Sequence, residues 1–255
     1  MQNSKKYLVT AAGGNGTIVE LLKEGLSRAE YAKQGKILGR DFEPQEAEQA
    51  GFLIPIENRF EMAGGEFCGN AARSTAVLLS IIKGLTEVEF TVSGFIGTVK
   101  ATVIKIGGSR YTARCTFGGL PVIRKDVCLK SGQEVSVVDL GGIVHVVFEA
   151  PFPVDKTFYQ NAHLAMMREL ELENREAVGV VWFKRQDRSV FLYPVVWVKE
   201  VDTFFFEQSC GSGTIAVALV TGAKSVVQPT GKTIEVEIMK NGVVLESEME
   251  VTYES

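Results

Sequence analysis

Two stretches of this chain repeat one pattern. Glu66-Phe67-Cys68-Gly69-Asn70-Ala71 and Glu207-Gln208-Ser209-Cys210-Gly211-Ser212-Gly213 each place a cysteine where a β-rich run gives way to an apolar helical segment. A glutamate stands two or three positions before each cysteine, and a glycine follows it. The two cysteines are 142 residues apart, far beyond a solenoid period, so the pattern predicts two related halves facing each other across a cleft. The first half is expected over residues 1–115 with Cys68, completed by the C-terminal strand 246–255. The second is expected over 116–245 with Cys210.

Hydrophobic periodicity and turn residues place the remaining elements. Residues 69–83, closed by Gly84, and 211–221, closed by Gly222, read as buried helices. Residues 155–170 form a third, amphipathic helix. Upstream, 7–10 reads as a strand, 13–16 as a tight glycine loop and 17–23 as a helix stopped by Gly25. Pro44 is expected to open a short helix that runs to Gln49, with a strand over 52–56. Further strands fit 88–92, 98–104, 110–117, 134–140, 144–149, 178–184, 190–198 and 203–207. The end is a hairpin, 233–239 and 243–253, turning at Asn241-Gly242.

Composition narrows the function classes. With 255 residues, 45% hydrophobic and 23% charged, the chain is an ordinary globular protein. A net charge of −4 without blocks of like charge argues against nucleic-acid and membrane-surface partners. The polar start before Tyr7 has no secretory pattern and no apolar run reaches 18 residues, so a cytoplasmic location is expected. Cys68, Cys115, Cys128 and Cys210 are scattered, and only His145 and His163 accompany them, which disfavours a zinc cage or a redox dithiol.

The repeated motif suggests its own chemistry. A helix N-terminus presents unpaired N–H groups and about half a positive charge, which lowers a thiol's pKa from about 8.5 toward neutrality. Two thiols on opposite faces of one carbon could remove a proton from one side and return it from the other. The N–H groups near Gly69, Asn70, Gly211 and Ser212 would meanwhile hold the carboxylate that takes up the charge. Chemistry of this kind calls for neither pyridoxal phosphate nor a metal.

The motifs "E-F-C-G-N-A-A-R" and "E-Q-S-C-G-S-G-T" resemble the two active-site signatures of the diaminopimelate epimerase superfamily, cofactor-independent amino-acid racemases and epimerases. Supporting matches are Gly13 to Gly16, "T-V-S-G" from Thr91, "F-G-G-L-P" from Phe117 and His145 after Gly141-Gly142. The resemblance implies an α+β fold of two pseudo-symmetric domains, each a β-barrel-like sheet wrapped around a central α-helix. It also implies that Cys68 and Cys210 are base and acid, that Asn15 touches substrate, and that Gly69, Asn70, Gly211 and Ser212 cradle the α-carboxylate. Its expected partner is a small amino-acid substrate, with a second copy of the chain as a candidate homodimer partner.

Where diaminopimelate enzymes hold the far end of their substrate with asparagines and an arginine, this chain carries Met62 or Glu61, Ile143, Ala177 and Asp202. A distal charged head would be left unpaired, at a cost of several kcal/mol. The wording of the motifs is most similar to the histidine racemases that supply D-histidine to opine-type metallophores, and Glu48, beside Gln49, is a candidate acceptor for an imidazole N–H. Other readings are a diaminopimelate epimerase, a racemase of another amino acid, a nicotinamide-dependent oxidoreductase or a non-catalytic amino-acid binder. The dinucleotide reading fails because Val19 replaces the third glycine of G-x-G-x-x-G and no acidic second strand follows. Asn15 could equally be a left-handed turn residue. Cys115, Cys128 and His145 are expected to be structural, with His145 satisfied within a sheet, and His163 is expected on a helix face.

Overall fold

The computed structural model describes residues 4–200 and 202–255. In the first half, β1 (Lys6–Ala11), β2 (Gly14–Leu21), α1 (Arg28–Phe42), β3 (Ala47–Ile54) and β4 (Arg59–Met62) precede α2 (Gly69–Lys83). Then come β5 (Glu87–Val92), β6 (Val99–Gly107) and β7 (Arg110–Gly118). The second half runs β8 (Ile123–Cys128), β9 (Glu134–Asp139), β10 (Val144–Glu149), α3 (Lys156–Glu169), β11 (Ala177–Gln186), β12 (Ser189–Val198), β13 (Thr203–Phe206), α4 (Gly211–Thr221), β14 (Ser225–Val227), β15 (Thr233–Met239) and β16 (Gly242–Glu254).

Strands β1 to β7 are hydrogen-bonded in sequence order, and β16 lies beside both β7 and β1. Eight strands therefore close into a ring, with no free edge and with α2 inside it. The path continues through β16 into β15, β14, β12, β11, β10, β9 and β8, which curve around α4. The last strand belongs to both sheets: Val243 to Glu246 pair with β15, while Met249 to Glu254 pair with β1.

The two central helices are apolar because both are surrounded. Residues 69–79 of α2 are all buried, as are 211–218 of α4. Side chains such as Val77, Leu78 and Ile215 each contribute about 1.5 to 3 kcal/mol on burial. Each helix stops at a glycine in the left-handed conformation, Gly84 at φ +67° and Gly222 at φ +76°. Helices α1 and α3 lie outside, against β3 and against β11 and β12. Among the described residues, no helix is long and apolar enough to cross a membrane.

Two expected helices near the N-terminus are replaced. Residues 14–21 form β2, because Thr17, Ile18 and Val19 are β-branched and are buried between β1 and β3. Pro44 opens only a single tight turn, Glu43–Gln45, and the chain then enters β3. The helix that does form here, α1, begins with a capping box: the Ser27 side chain accepts from Glu30 N, and Glu30 reaches back to Ser27 N. The strands β4, β8 and β14 add to those expected.

His145 also differs from expectation. It is fully buried on β10, and neither ring nitrogen has a partner. Burial pushes its pKa down to about 3, and that of His163, whose Nε2 donates to Val178 O at 3.0 Å, down to about 4. The His145 ring occupies the space over Gly179 on β11, where a Cβ would come within 2.1 Å of Nδ1. Gly179→Ala is therefore expected to lower unfolding free energy by about 1 to 3 kcal/mol, read from urea melts. A neutral result would mean that the His145 ring is free to move aside.

Candidate active site

The two cysteines sit at equivalent places. Each is the residue capping the N-terminus of a central helix, with extended backbone: φ −130°, ψ 112° at Cys68 and φ −138°, ψ 108° at Cys210. Each sulfur accepts a backbone N–H three residues on, Ala71 N at 3.4 Å and Gly213 N at 3.2 Å. The first carbonyl-closed turns begin at Ala72 N→Cys68 O and Thr214 N→Cys210 O. The amides of residues 69, 70, 211 and 212 therefore lie ahead of the helical ladder, where N–H groups have no helical partner.

The helix ends meet head to head. A Cβ on Gly211 would stand 3.1 Å from Gly69 Cα, and one on Gly69 would stand 3.3 Å from Gly211 Cα. Glycine on both sides lets the two backbones approach this closely without crowding. Side chains lock the seam, since Asn15 Nδ2 and Asn70 Nδ2 both donate to Ser209 O, at 2.9 and 2.7 Å. Gln228 Oε1 accepts from Cys210 N at 2.8 Å. The fully buried Arg73 donates to Gly69 O, Ser247 Oγ and Asn70 Oδ1, all uncharged acceptors.

Beside the seam lies a cavity of about 430 Å³, lined among others by Glu48, Gln49, Glu66, Cys68, Glu207 and Ser212. Gly211 is also in its wall. Cys210 lies one layer behind, reached through Ser212 Oγ at 3.6 Å and acted on by the Glu207 carboxyl. Cys68 donates to Gln49 Oε1 at 3.1 Å, and Gln49 Nε2 donates to Glu207 Oε1 at 2.7 Å. One hydrogen-bonded chain thus runs Cys68, Gln49, Glu207, and the Glu207 carboxyl acts electrostatically on Cys210 at its far end.

Burial sets the acidities here. It pushes the Cys68 thiol up to about 12 and Cys210 well above its ordinary value, with the Glu207 carboxylate adding to both. The N–H bonds at the helix ends act in the expected downward direction but are outweighed. Burial thus keeps both sulfurs as thiols, a correction to the expected lowering toward neutrality. Burial likewise raises Glu207 to about 8, and Glu48 and Glu66 to about 7.

Of the residues singled out in the sequence, Cys68, Gly211, Ser212 and Glu48 line the cavity. Gly69, Asn70 and Cys210 form the seam behind it. Asn15 is a left-handed residue, φ +49°, whose Oδ1 is buried and unpartnered. Met62 and Ile143 line the cavity, whereas Asp202 accepts from Trp197 Nε1 and Glu61 pairs with Arg28 outside it. Cys115 is buried, but Cys128 is exposed on the edge strand β8 and packs nothing inside. Gln49, Glu66 and Glu207 were the residues the motifs left without a role; the glutamate ahead of each cysteine was the available signal.

The chain is an amino-acid racemase, an isomerase, by its family model and its histidine racemase relatives, and its paired helix ends lie in a fold that solved epimerases share. A predicted epimerase from Pseudomonas aeruginosa superposes with a TM-score of 0.65 at 15% identity, covering 99% of this chain and 98% of the other. A hydroxyproline epimerase from Agrobacterium vitis gives 0.59 at 13% identity, covering 99% and 91%. The family model described as the histidine racemase CntK N-terminal domain matches residues 15–253, and the chain belongs to that family. A histidine racemase of Fusobacterium nucleatum subsp. nucleatum (strain ATCC 23726 / VPI 4351) is 30% identical over 199 residues, 72% of each chain.

The raised carboxyls have a stability consequence. Glu48, Glu66 and Glu207 keep protons in the folded chain that the unfolded chain has lost above 4.5, so stability falls as pH rises from there to about 8. The two histidines act oppositely: unfolding takes up their protons below 6.5, so they cost stability as pH drops toward about 3 to 4. Glu207→Gln cannot ionise and should flatten the decline between about pH 5 and 8 in thermal melts. An unchanged slope there would contradict the buried, proton-retaining carboxyl.

Proposed function

We propose that the protein interconverts L- and D-histidine by a two-base mechanism on Cys68 and Cys210, without a cofactor. The observation that carries the reading is the head-to-head meeting of two cysteine-capped helix N-termini at Gly69 and Gly211, beside one cavity. The α-carboxylate lies at the amides of residues 69, 70, 211 and 212, where two positive helix ends converge. Asn15 Oδ1 faces the same seam as a substrate acceptor, and Glu48 Oε2, buried and unpartnered, accepts an imidazole N–H.

The proton inventory follows from the hydrogen-bonded chain. In the fraction of molecules whose Glu207 is ionised, its carboxylate takes the Cys210 proton, which leaves a thiolate. That sulfur removes the α-hydrogen from one face, and the C–H electron pair moves onto the carboxylate as an enediolate. Collapse of the enediolate takes the Cys68 proton on the opposite face, so the S–H bond breaks as the new C–H bond forms. After the product leaves, the Cys68 thiolate takes up a proton and Glu207 releases one through solvent, which restores both thiols and the carboxylate; for the other enantiomer the sulfurs exchange roles. Because the amides are already oriented, they stabilise the developing charge without reorganising.

Membership in the family favours histidine, and the cavity supports it. Met62 and Ile143 offer no hydrogen bond where diaminopimelate enzymes place polar anchors, and the Glu48 and Glu66 carboxyls in the same wall suit an imidazole N–H. We place the protein in the reducing cytoplasm, where its free cysteines stay reduced, and in the supply of D-histidine to an opine-type metallophore.

Cys68→Ser and Cys210→Ser should each lower racemisation by at least about a hundredfold, since a hydroxyl is a far poorer base near neutrality. In heavy water the unsubstituted protein should place deuterium at the α-carbon of histidine. Near-full activity in either serine variant would overturn the two-base assignment. An unlabelled α-carbon would favour a binding protein.

A further inference from the structure

We propose that Glu66 is a specificity-determining residue: it accepts a second imidazole N–H, opposite the one taken by Glu48, so the cavity holds the histidine side chain as an imidazolium. This rests on the histidine reading above and adds to it the form of the substrate and a residue that the motifs left without a role.

Glu66 lies in the loop between β4 and α2, two residues before Cys68, and only 6% of its surface is exposed. It lines the same cavity as Cys68 and Glu48. Its Oε2 is buried and has no hydrogen-bond partner, as is the case for Glu48 Oε2. No salt bridge ties either carboxyl to a cation among the described residues. Arg28, the basic group that acts on Glu66 from a distance, spends its guanidinium on Met62 O, Ala63 O and Glu61.

The position of Glu66 separates its work from the proton chemistry. A Cβ at Gly64 would come within 2.5 Å of Glu66 Oε2 and within 2.6 Å of Val198 Cγ1, so this oxygen sits where the two halves face each other. Glu48 instead approaches from β3, with Oε1 accepting Asn15 N at 3.2 Å. A buried carboxyl oxygen without a donor is costly, and two of them in one cavity, Glu48 Oε2 and Glu66 Oε2, call for a ligand that brings donors and positive charge. A neutral imidazole has one N–H, whereas an imidazolium has two, one on each side of a rigid ring.

The test pairs substrate analogues with substitutions at Glu66. With the unsubstituted protein, histidine methylated at either ring nitrogen loses one donor, and KM should rise at least tenfold for both isomers while α-deuteration at saturation persists. Glu66→Gln should raise KM for histidine by a similar factor with little change in kcat. Glu66→Ala should remove the penalty for one methylated isomer and keep it for the other, a readout that a merely structural residue would not give. Equal KM values for histidine and both methylated forms would overturn the proposal whether or not the variants fold. So would histidine turnover by folded Glu66 variants with unchanged KM. Absence of histidine turnover by the unsubstituted protein would instead remove the substrate reading, and this inference with it.

Discussion

The structure depends on an arrangement that helices ordinarily avoid: the N-termini of α2 and α4 point at each other in van der Waals contact through Gly69 and Gly211. Each end carries about half a positive charge, and Arg73 adds a full one within the first turns of α2, paired only with neutral acceptors. Such a junction repels itself. It is held by what surrounds it: a closed ring of strands around α2, a curved sheet around α4, and the Ser209 carbonyl receiving both Asn15 and Asn70. The stored positive potential is what an anionic transition state can use, because the donors were oriented at the time of folding.

That potential competes with desolvation, and for the sulfurs desolvation wins. A thiolate buried at a helix end gains from the N–H groups of Ala71 or Gly213, yet loses more by leaving water beside the Glu207 carboxyl. The thiols therefore rest protonated, and a base exists only once a neighbour accepts the proton. In the mechanism proposed above Glu207 takes that place: its carboxyl acts on Cys210 and is linked through Gln49 to Cys68. Burial supplies a second benefit, since a dry cavity strengthens every charge interaction formed within it.

The parts of the fold legible in the sequence are those where local and global preferences agree. Helix 211–221 is apolar almost all round, helix 69–83 is rich in Ala, Leu, Val and Ile, and both are stopped by left-handed glycines, so no tertiary context was needed to read them. Residues 17–23 misled because Ile18, Val19, Leu21 and Leu22 fit either period, and only pairing with β1 and β3 decides for a strand. The outer helix α1 has a polar face and a modest apolar one, and its signal lay in Ser27 and Glu30 rather than in hydrophobicity. For the site, the cysteines and glycines were visible as a repeat. The proximity of Glu48, Gln49, Glu66 and Glu207 was not, because β3, the β4–α2 loop and the β13–α4 junction meet only after the ring has closed.

The two halves repeat a backbone but not an environment. Cys68 is half-buried and donates to an amide, while Cys210 is fully buried against a carboxyl. A reaction between mirror images has an equilibrium constant of one in water, so the ratio of the two kcat/KM values is fixed whatever the protein does. Asymmetry at the cysteines can still divide kcat from KM differently in the two directions, because it changes the free energies of the bound states and not those of free enantiomers. In the mechanism proposed above the two helix ends need to match, because they accept the same carboxylate from both hands of the substrate. That mechanism has no need of matching partners for the sulfurs, and at Gln49 and Glu207 the chain has let them diverge.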